Sequence, residues 1–373
     1  MNSRTPLYKE RIVVAMSGGV DSSVCALLLK RQGHDVVGMT IKTWTNDDCR
    51  DEKSKGCCSL RDIDDARSVA RKLDIPYYVM DLSEDFQEKV IDYFVDEYFK
   101  GRTPNPCIEC NNHIKFGVLA KKAEELGANY IATGHYARKE YAADQGRYCV
   151  AEGLDLSKDQ SYVLFGLNQD QLKKIMLPLG GMEKSDVRTL AEEIGLRVYA
   201  KPDSQEICFV AGRYGDFIKK YSPGRLPGPG PLVDEKGEVL GTHEGSHDFT
   251  VGQRKRLRLN AAPEYFVTAI RPETNEVVVG PEEHLLADEM TVRRVNWHLL
   301  PRLGEVSVKI RSRHVKTPAR ILSIDDNQVR IRFEAPQKAV TPGQAAVFYD
   351  GVRVIGGGWI ESARMAPIPT VIL

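Results

Sequence analysis

Apolar positions in the first half of the chain alternate between two periods. Residues 11–16 (RIVVAM) form an unbroken β-branched run, too short for a helix and followed by glycines, which predicts a buried strand. Residues 22–32 then carry a helical pattern that stops at Gly33, where a helix-ending glycine is expected. Asp35–Lys42 and Tyr77–Asp81 read as strands, and residues 130–134 as another. Between them, residues 60–73 place Ile63, Ala66, Ala70 and Leu73 on one helical face. A helix reaching about residue 99 turns Phe86, Val90, Phe94 and Tyr98 inward. Further helices are predicted over residues 113–126 and 184–194, ending at Gly127 and Gly195. Strands alternating with helices imply a parallel sheet wrapped by helices, an α/β Rossmann-like architecture.

The pattern changes after residues 221–231 (YSPGRLPGPGP), which are too rich in proline and glycine for a regular element and read as a linker. Beyond them, short alternating runs at residues 276–279, 305–310, 319–324, 329–333 and 345–349 predict one or two small β-barrels or sandwiches. At 373 residues with 42% hydrophobic and 28% charged positions, the chain can bury a core in each of two or three domains. Eight cysteines are too few for a disulfide scaffold, no apolar run is long enough to span a bilayer, and the first residues lack a signal-peptide pattern. The expectation is a cytoplasmic protein with reduced thiols and no membrane partner. Lys+Arg and Asp+Glu are both 52, which excludes a uniformly basic coat. The charges are unevenly placed, however. Residues 81–97 carry seven acids against Lys89, and residues 291–320 carry eight bases against Glu305. A polyanion would be drawn to the second segment, unless it is simply a solvated strand face.

Candidate chemistry begins with Ser17-Gly18-Gly19-Val20-Asp21-Ser22, between the first strand and the first helix. Glycines permit close backbone approach, the helix N-terminus presents unpaired N–H groups, and Ser17, Ser22 and Ser23 add hydroxyls. The loop suits a phosphate or pyrophosphate. It has neither the lysine of a P-loop nor the G-x-G-x-x-G of a dinucleotide site. Asp21 then makes sense as a Mg²⁺ ligand or a helix cap. SGGVDSS after a first strand resembles the pyrophosphatase loop of the adenine nucleotide α-hydrolase-like fold, whose enzymes split ATP between the α- and β-phosphates to adenylate a substrate.

Cys107 and Cys110 follow two prolines, Pro104 and Pro106, which predicts that both thiols sit on a constrained loop. Cys208 lies in DSQEICF. Structural zinc lacks a second correctly spaced pair, since Cys57 and Cys58 are adjacent. An iron–sulfur cluster on Cys107, Cys110 and Cys208 is chemically possible, as is persulfide chemistry resolved by a disulfide. Cys25 and Cys149 read as inert buried thiols.

Residues 103–116 (TPNPCIECNNHIKF), 131–138 (IATGHYAR), 158–164 (KDQSYVL) and 201–210 (KPDSQEICFV), with TVGQRK at 250–255 and TPGQA at 341–345, together resemble the tRNA-specific 2-thiouridylases. The resemblance runs from about residue 11 to about 360. It implies a catalytic ATP-pyrophosphatase domain over 1–215, a small β-rich domain over 216–283, and a tRNA-contacting β-barrel over 284–373. It implies a reaction in which ATP adenylates the C2 oxygen of the wobble uridine and a persulfide sulfur then replaces it. Ala15, Met16, Ser17, Gly18, Gly19, Val20, Asp21 and Ser22 would bind ATP, with Ile41 and Gly134 lining the nucleotide site. Cys208 would carry the persulfide, and Cys110 would serve as acid/base and form the disulfide with Cys208.

By the same resemblance, Asn105, Pro106 and Cys107 meet the target base. His135, Lys158, Asp159, Gln160, Arg311, Ser312 and Gln344 fall on tRNA-contacting positions, although His135 alone would read as a core histidine at a strand end. Many relatives carry Asp at the place of Cys107, which keeps a [4Fe-4S] cluster as an alternative to the persulfide. Arg256 and Arg258 stand where relatives usually have glycine. The implied partners are a tRNA with a wobble uridine and a sulfur donor such as a cysteine desulfurase or sulfur-relay protein. A rival is a different adenylating tRNA-modifying enzyme, which would share the loop but not both cysteine segments. Residues 47–56 read either as a mobile loop near the site or, equally, as a surface insertion.

Overall fold

Strand β1 (Arg11–Ala15) is the middle strand of a five-stranded parallel sheet, and its Ile12, Val13 and Val14 are fully buried. A strand covered on both faces must be apolar at successive positions, which is why this run does not alternate. In the computed structural model, residues 9–43, 60–203, 207–257, 259, 264–325 and 328–367 are described. Residues 47–56, Cys57, Cys58 and Arg258 lie outside them. Two compact units are present. One comprises the described residues up to Ile91, with Pro106–Ala211 and Val352–Val354, and the other Asp92–Asn105, Gly212–Gly351 and the described residues from Ile355 onward.

In the first unit, α1 (Val20–Arg31), β2 (Asp35–Lys42), α2 (Leu60–Lys72) and β3 (Tyr77–Asp81) build outward on one side of β1. Val24 and Leu29 of α1 and Ala66 and Val69 of α2 pack into the same core as Ile12 and Val14. The next helical stretch begins in this unit with α3 (Ser83–Phe86) and a π-helical segment Gln87–Asp92, and continues as α4 (Tyr93–Phe99), which belongs to the second; Phe86, Val90, Phe94 and Tyr98 are all buried as their spacing predicts. After α5 (Pro106–Glu109), a π-helical segment Cys110–Val118 and α6 (Leu119–Glu125), the chain returns to the other side of β1 as β4 (Tyr130–Ala132). An antiparallel hairpin follows, β5 (Ala137–Ala142) and β6 (Arg147–Glu152), then α7 (Gln169–Lys174), the short β7 (Ile175–Met176) and α8 (Lys184–Glu193). The sheet order β3-β2-β1-β4-β7 leaves a crevice where the chain direction switches, between the carboxyl ends of β1 and β4. Open α/β sheets bind ligands at such a point.

The second unit holds α9 (Tyr214–Tyr221) and a four-stranded sheet ordered β10-β11-β8-β9, with β8 (Gly230–Val233), β9 (Val239–His243), β10 (Phe266–Arg271) and β11 (Glu276–Gly280). Leu232, Phe249, Val267, Val277 and Val279 form its core. The remaining strands are β12 (Leu286–Trp297), β13 (Gly304–Lys309), β14 (Thr317–Asp325), β15 (Gln328–Lys338), β16 (Ala345–Asp350) and β17 (Arg353–Met365). They follow the order β12-β15-β14-β13-β16-β17 and close through β12–β17, giving a barrel without free edges.

Two expectations are corrected. The linker is not featureless: Pro223–Arg225 forms a 3₁₀ turn, and β8 begins at Gly230. Cys107 and Cys110 are on a helix rather than a loop. Pro106 occupies the first helical turn, where its missing N–H costs nothing and its fixed φ suits the helix.

Candidate active site

The loop after β1 is anchored before it turns. Met16 N–H donates to the Met39 carbonyl at 2.8 Å, and Thr40 Oγ1 donates to the Met16 carbonyl at 2.6 Å. Gly18 has φ +71°, and a Cβ there would lie 2.2 Å from the Asp62 carbonyl oxygen, so only glycine fits. Gly134, just past β4, comes so close to the start of α1 that a Cβ would lie 2.7 Å from the Asp21 carbonyl carbon. Ser22 and Ser23 turn inward, donating to the Gly19 carbonyl at 3.2 and 2.8 Å, while Ser17 is exposed. Gly19 is the N-cap of α1 and no side chain caps this end, so the first-turn N–H groups face the crevice. Asp21 does not serve as the cap.

Asp21 is instead held by residues far away in sequence. Lys184, at the start of α8, is nearly buried, and its Nζ lies 2.7 and 2.8 Å from the two Asp21 oxygens and 2.8 Å from Asp203 Oδ1. Tyr136 donates its hydroxyl to Asp21 at 2.8 Å, and burial together with the Asp21 charge raises the phenol pKa. Asp203 also receives Lys158 at 2.9 Å and Arg188 at 3.0 Å. Burial would raise the Asp203 pKa, but the hydrogen bonds from Lys158 and Lys184 outweigh it and hold the carboxyl down to about 2. Lys201 donates to the Gly18 carbonyl at 3.0 Å and pairs with Asp62 and Asp65 of α2 at 2.6 and 2.7 Å. Neither Lys184 nor Lys201 was singled out from sequence, because no local pattern ties them to residues more than 130 positions away.

Cys110 opens the π-helical segment and is half-buried, Cys107 is exposed, and Cys208 is half-buried in a turn. The turn is fixed by Phe209, whose ring meets Phe86 edge-on at 5.8 Å. In the π-helical segment, Gln171 donates to the carbonyls of Asn112 and Phe116 at 3.1 and 2.8 Å. Such segments are rare and concentrate at functional sites. Among the described residues no three His, Cys, Asp or Glu side chains converge as a metal-ligand set. Cys25 and Cys149 are buried, and desolvation raises both thiols, Cys149 to about 11. Burial of this kind disfavours the reactive thiolate.

A family model described as the tRNA methyl transferase HUP domain matches residues 10–212. A PRC-barrel domain of the same name matches 215–281, and an aminomethyltransferase β-barrel domain matches 287–360. Over nearly the full length, the chain is 51% identical to the tRNA-specific 2-thiouridylase MnmA of Geotalea uraniireducens, covering 95% of this chain and 96% of that one. It is 49% identical to the MnmA of Geobacter metallireducens, covering 96% and 99%, and 47% identical to that of Clostridioides difficile, covering 95% and 99%. The chain belongs to the tRNA-specific 2-thiouridylase family. The methyl-transfer wording of the domain names does not compete with this, because the full-length relatives carry the thiolation name.

The remaining residues expected from the 2-thiouridylase resemblance fall into two groups. In the first unit, His135 is buried three residues past β4 with Nδ1 2.8 Å from Thr133 Oγ1, and burial followed by the Lys115 charge lowers its pKa. Asp159 accepts from the Gly153 and Ser161 N–H groups at 3.1 Å, and Gln160 Oε1 accepts from the Tyr136 N–H at 3.0 Å. Ile41 is half-buried on β2. In the second unit, Gln344 donates to the Thr103 carbonyl at 2.9 Å, and Thr103 N–H donates to the Pro342 carbonyl at 2.9 Å. The TPGQA turn therefore clasps the segment that leads to Asn105. Arg311 and Ser312 are exposed after β13, with Arg311 bonded to the Lys338 carbonyl at 3.0 Å.

No helix among the described residues is long and apolar enough to cross a membrane.

Proposed function

We propose that this 2-thiouridylase-family chain thiolates the wobble uridine of tRNA at C2 in an ATP-dependent reaction. The observation that carries this reading is the Gly18–Gly19 loop at the sheet's switch point, with Asp21 at its edge, in a chain that also holds Cys110 and Cys208. ATP would lie on residues 15–22, Ile41 and Gly134, with its phosphates at the first turn of α1. Asp21 would supply one of the one or two carboxylates that a phosphate-bound Mg²⁺ takes from a protein.

The uridine C2 oxygen attacks the α-phosphorus and pyrophosphate leaves. The outer sulfur of a Cys208 persulfide then attacks C2, and AMP departs with the oxygen. Cys110 acts first as acid/base. Its thiolate then attacks the inner sulfur, breaks the S–S bond and leaves the outer sulfur on C2. The product is a Cys110–Cys208 disulfide, which a dithiol reductant reopens. A sulfur donor such as a cysteine desulfurase or relay protein reloads Cys208.

Asn105, Pro106 and Cys107 would receive the base, which is unstacked more easily from a single-stranded anticodon loop than from a duplex. Lys158, Arg311 and Ser312 would contact the tRNA backbone, while Asp159, Gln160, His135 and Gln344 shape its surroundings. The division into 1–215, 216–283 and 284–373 belongs to the same reading and is supported by the three domain matches.

The test is nucleoside mass spectrometry of unmodified tRNA incubated in air with the protein, Mg-ATP and a persulfide donor. 2-Thiouridine at the wobble position is expected. Product only after anaerobic cluster reconstitution would keep thiolation and overturn the roles of Cys110 and Cys208. No product under either condition would overturn the activity.

A further inference from the structure

Cys107 carries no sulfur step in the reaction proposed above, yet it stands three residues before Cys110 in a C-x-x-C sequence. The fold puts both on one continuous helical stretch. Cys107 lies in the first turn of α5, directly after Pro106, and Cys110 begins the π-helical segment. Residues three apart on a helix are neighbours on one face, with Cβ atoms about 5–6 Å apart. A disulfide needs about 3.5–4.5 Å, so the pair can close with a small local adjustment. The backbone hydrogen-bond pattern changes from α to π at Cys110 itself, which is where that adjustment falls.

The three thiols differ in access. Cys107 is exposed, whereas Cys110 and Cys208 are each half-buried. A reductant opens a disulfide through attack by its thiolate, so the rate depends on which sulfur can be reached. A Cys110–Cys208 bond joins the two less accessible sulfurs. Moving the bond to Cys107 places one of its sulfurs at the surface.

We propose that Cys107 is a catalytic residue that resolves the Cys110–Cys208 disulfide left by sulfur transfer. Its thiolate attacks Cys110 Sγ, and the Cys110–Cys208 bond breaks. Cys208 leaves as a thiolate and takes up the proton that Cys107 gave up. One disulfide replaces another, so the step consumes neither oxidant nor reductant. An external dithiol then attacks the exposed Cys107 sulfur, releases Cys110, and closes to its own disulfide as Cys107 departs. Cys208 can accept the next sulfur while that reduction is pending. The inference rests on the reading of Cys110 and Cys208 as the pair oxidised in turnover.

In the experiment, persulfide-loaded protein receives unmodified tRNA and Mg-ATP without reductant. Samples are quenched in acid at intervals, alkylated with N-ethylmaleimide and mapped as non-reduced peptides. Cys107 and Cys110 share the tryptic peptide 103–115, so their bond is read within one peptide. In the wild-type chain a Cys110–Cys208 bond should appear early. Each 2-thiouridine formed should finally leave a disulfide within 103–115 and a Cys208 that alkylates. Cys107→Ser should instead end with the Cys110–Cys208 bond and lose Cys208 alkylation. A wild-type end product of Cys110–Cys208 overturns the relay. 2-Thiouridine formed with no disulfide on Cys110 in either chain overturns the reading beneath it. If Cys107→Ser makes no 2-thiouridine, the wild-type time course decides alone: a bond within 103–115 that never follows a Cys110–Cys208 bond overturns the relay.

Discussion

Charge is used in opposite ways in the loop corner of the first unit and on the barrel wall of the second. In the corner, Lys184 serves two carboxylates and Lys201 serves two more, and the bridging ammonium of Lys184 is nearly buried. On the barrel, one buried carboxylate serves several cations: Glu289 pairs with Arg332 at 2.6 Å, Arg364 at 3.0 Å and Arg330 at 3.2 Å. These guanidiniums stay half exposed. Desolvation would raise the Glu289 pKa, but the Arg332 and Arg330 hydrogen bonds more than offset it and the carboxyl lies low. Removing Lys184 takes the one nearly buried cation of the corner from two carboxylates at once, Asp21 and Asp203. Removing one barrel arginine leaves the others in place. Function in the corner should therefore fail at single positions, and function on the barrel should fade residue by residue.

The sharpest contrast comes from the thiols. Cys208→Ser and Cys110→Ser should each abolish 2-thiouridine formation while calorimetric ATP binding stays intact. Full activity in either variant would remove the persulfide–disulfide route. Asp21→Ala should come next, lowering pyrophosphate release on the order of 10²-fold, the scale of losing one electrostatic contact in an active site. Unchanged release would take Asp21 out of any metal role.

The sequence made part of this corner legible and hid the rest, for reasons that differ by residue. β2 and β3 could be bounded because β-branched and apolar runs end abruptly at polar turns. The SGGVDS loop was readable because glycine, hydroxyl and helix start are contiguous. Pro104 and Pro106 were misleading: proline breaks a helix interior but starts one well, and only the fold shows which applies. Lys184 and Lys201 were invisible because their partners sit 163 and 183 positions away. The same holds for Gln344 on the Thr103 carbonyl, 241 positions apart. The basic stretch at 291–320 was found by counting, but counting could not show that Arg302 is neutralised by Asp350 at 2.7 Å or that Lys309 is buried over the Tyr349 ring.

On the barrel side the expected effects are small and graded. Arg311→Ala should weaken tRNA binding modestly and lower the slope of log K against log salt by about 1, as for one lost phosphate contact. Filter binding between low and physiological salt reads both. A slope that does not move would leave Arg311 to its bond with the Lys338 carbonyl.

The smallest effect belongs to Arg256, where backbone and side chain favour different residues. Its φ is +76°, a conformation that costs a non-glycine residue roughly 1–2 kcal/mol. Arg256→Gly should therefore raise stability by about 1 kcal/mol, read as a higher urea midpoint at unchanged slope. The side chain is exposed, so no packing is lost in the exchange. Its exposed guanidinium is also of a kind suited to a tRNA phosphate. The same variant should then lower the salt slope of tRNA binding by about 1. A stabilised variant with an unmoved slope would assign Arg256 to solvating its turn and confine the tRNA-facing charge to the barrel.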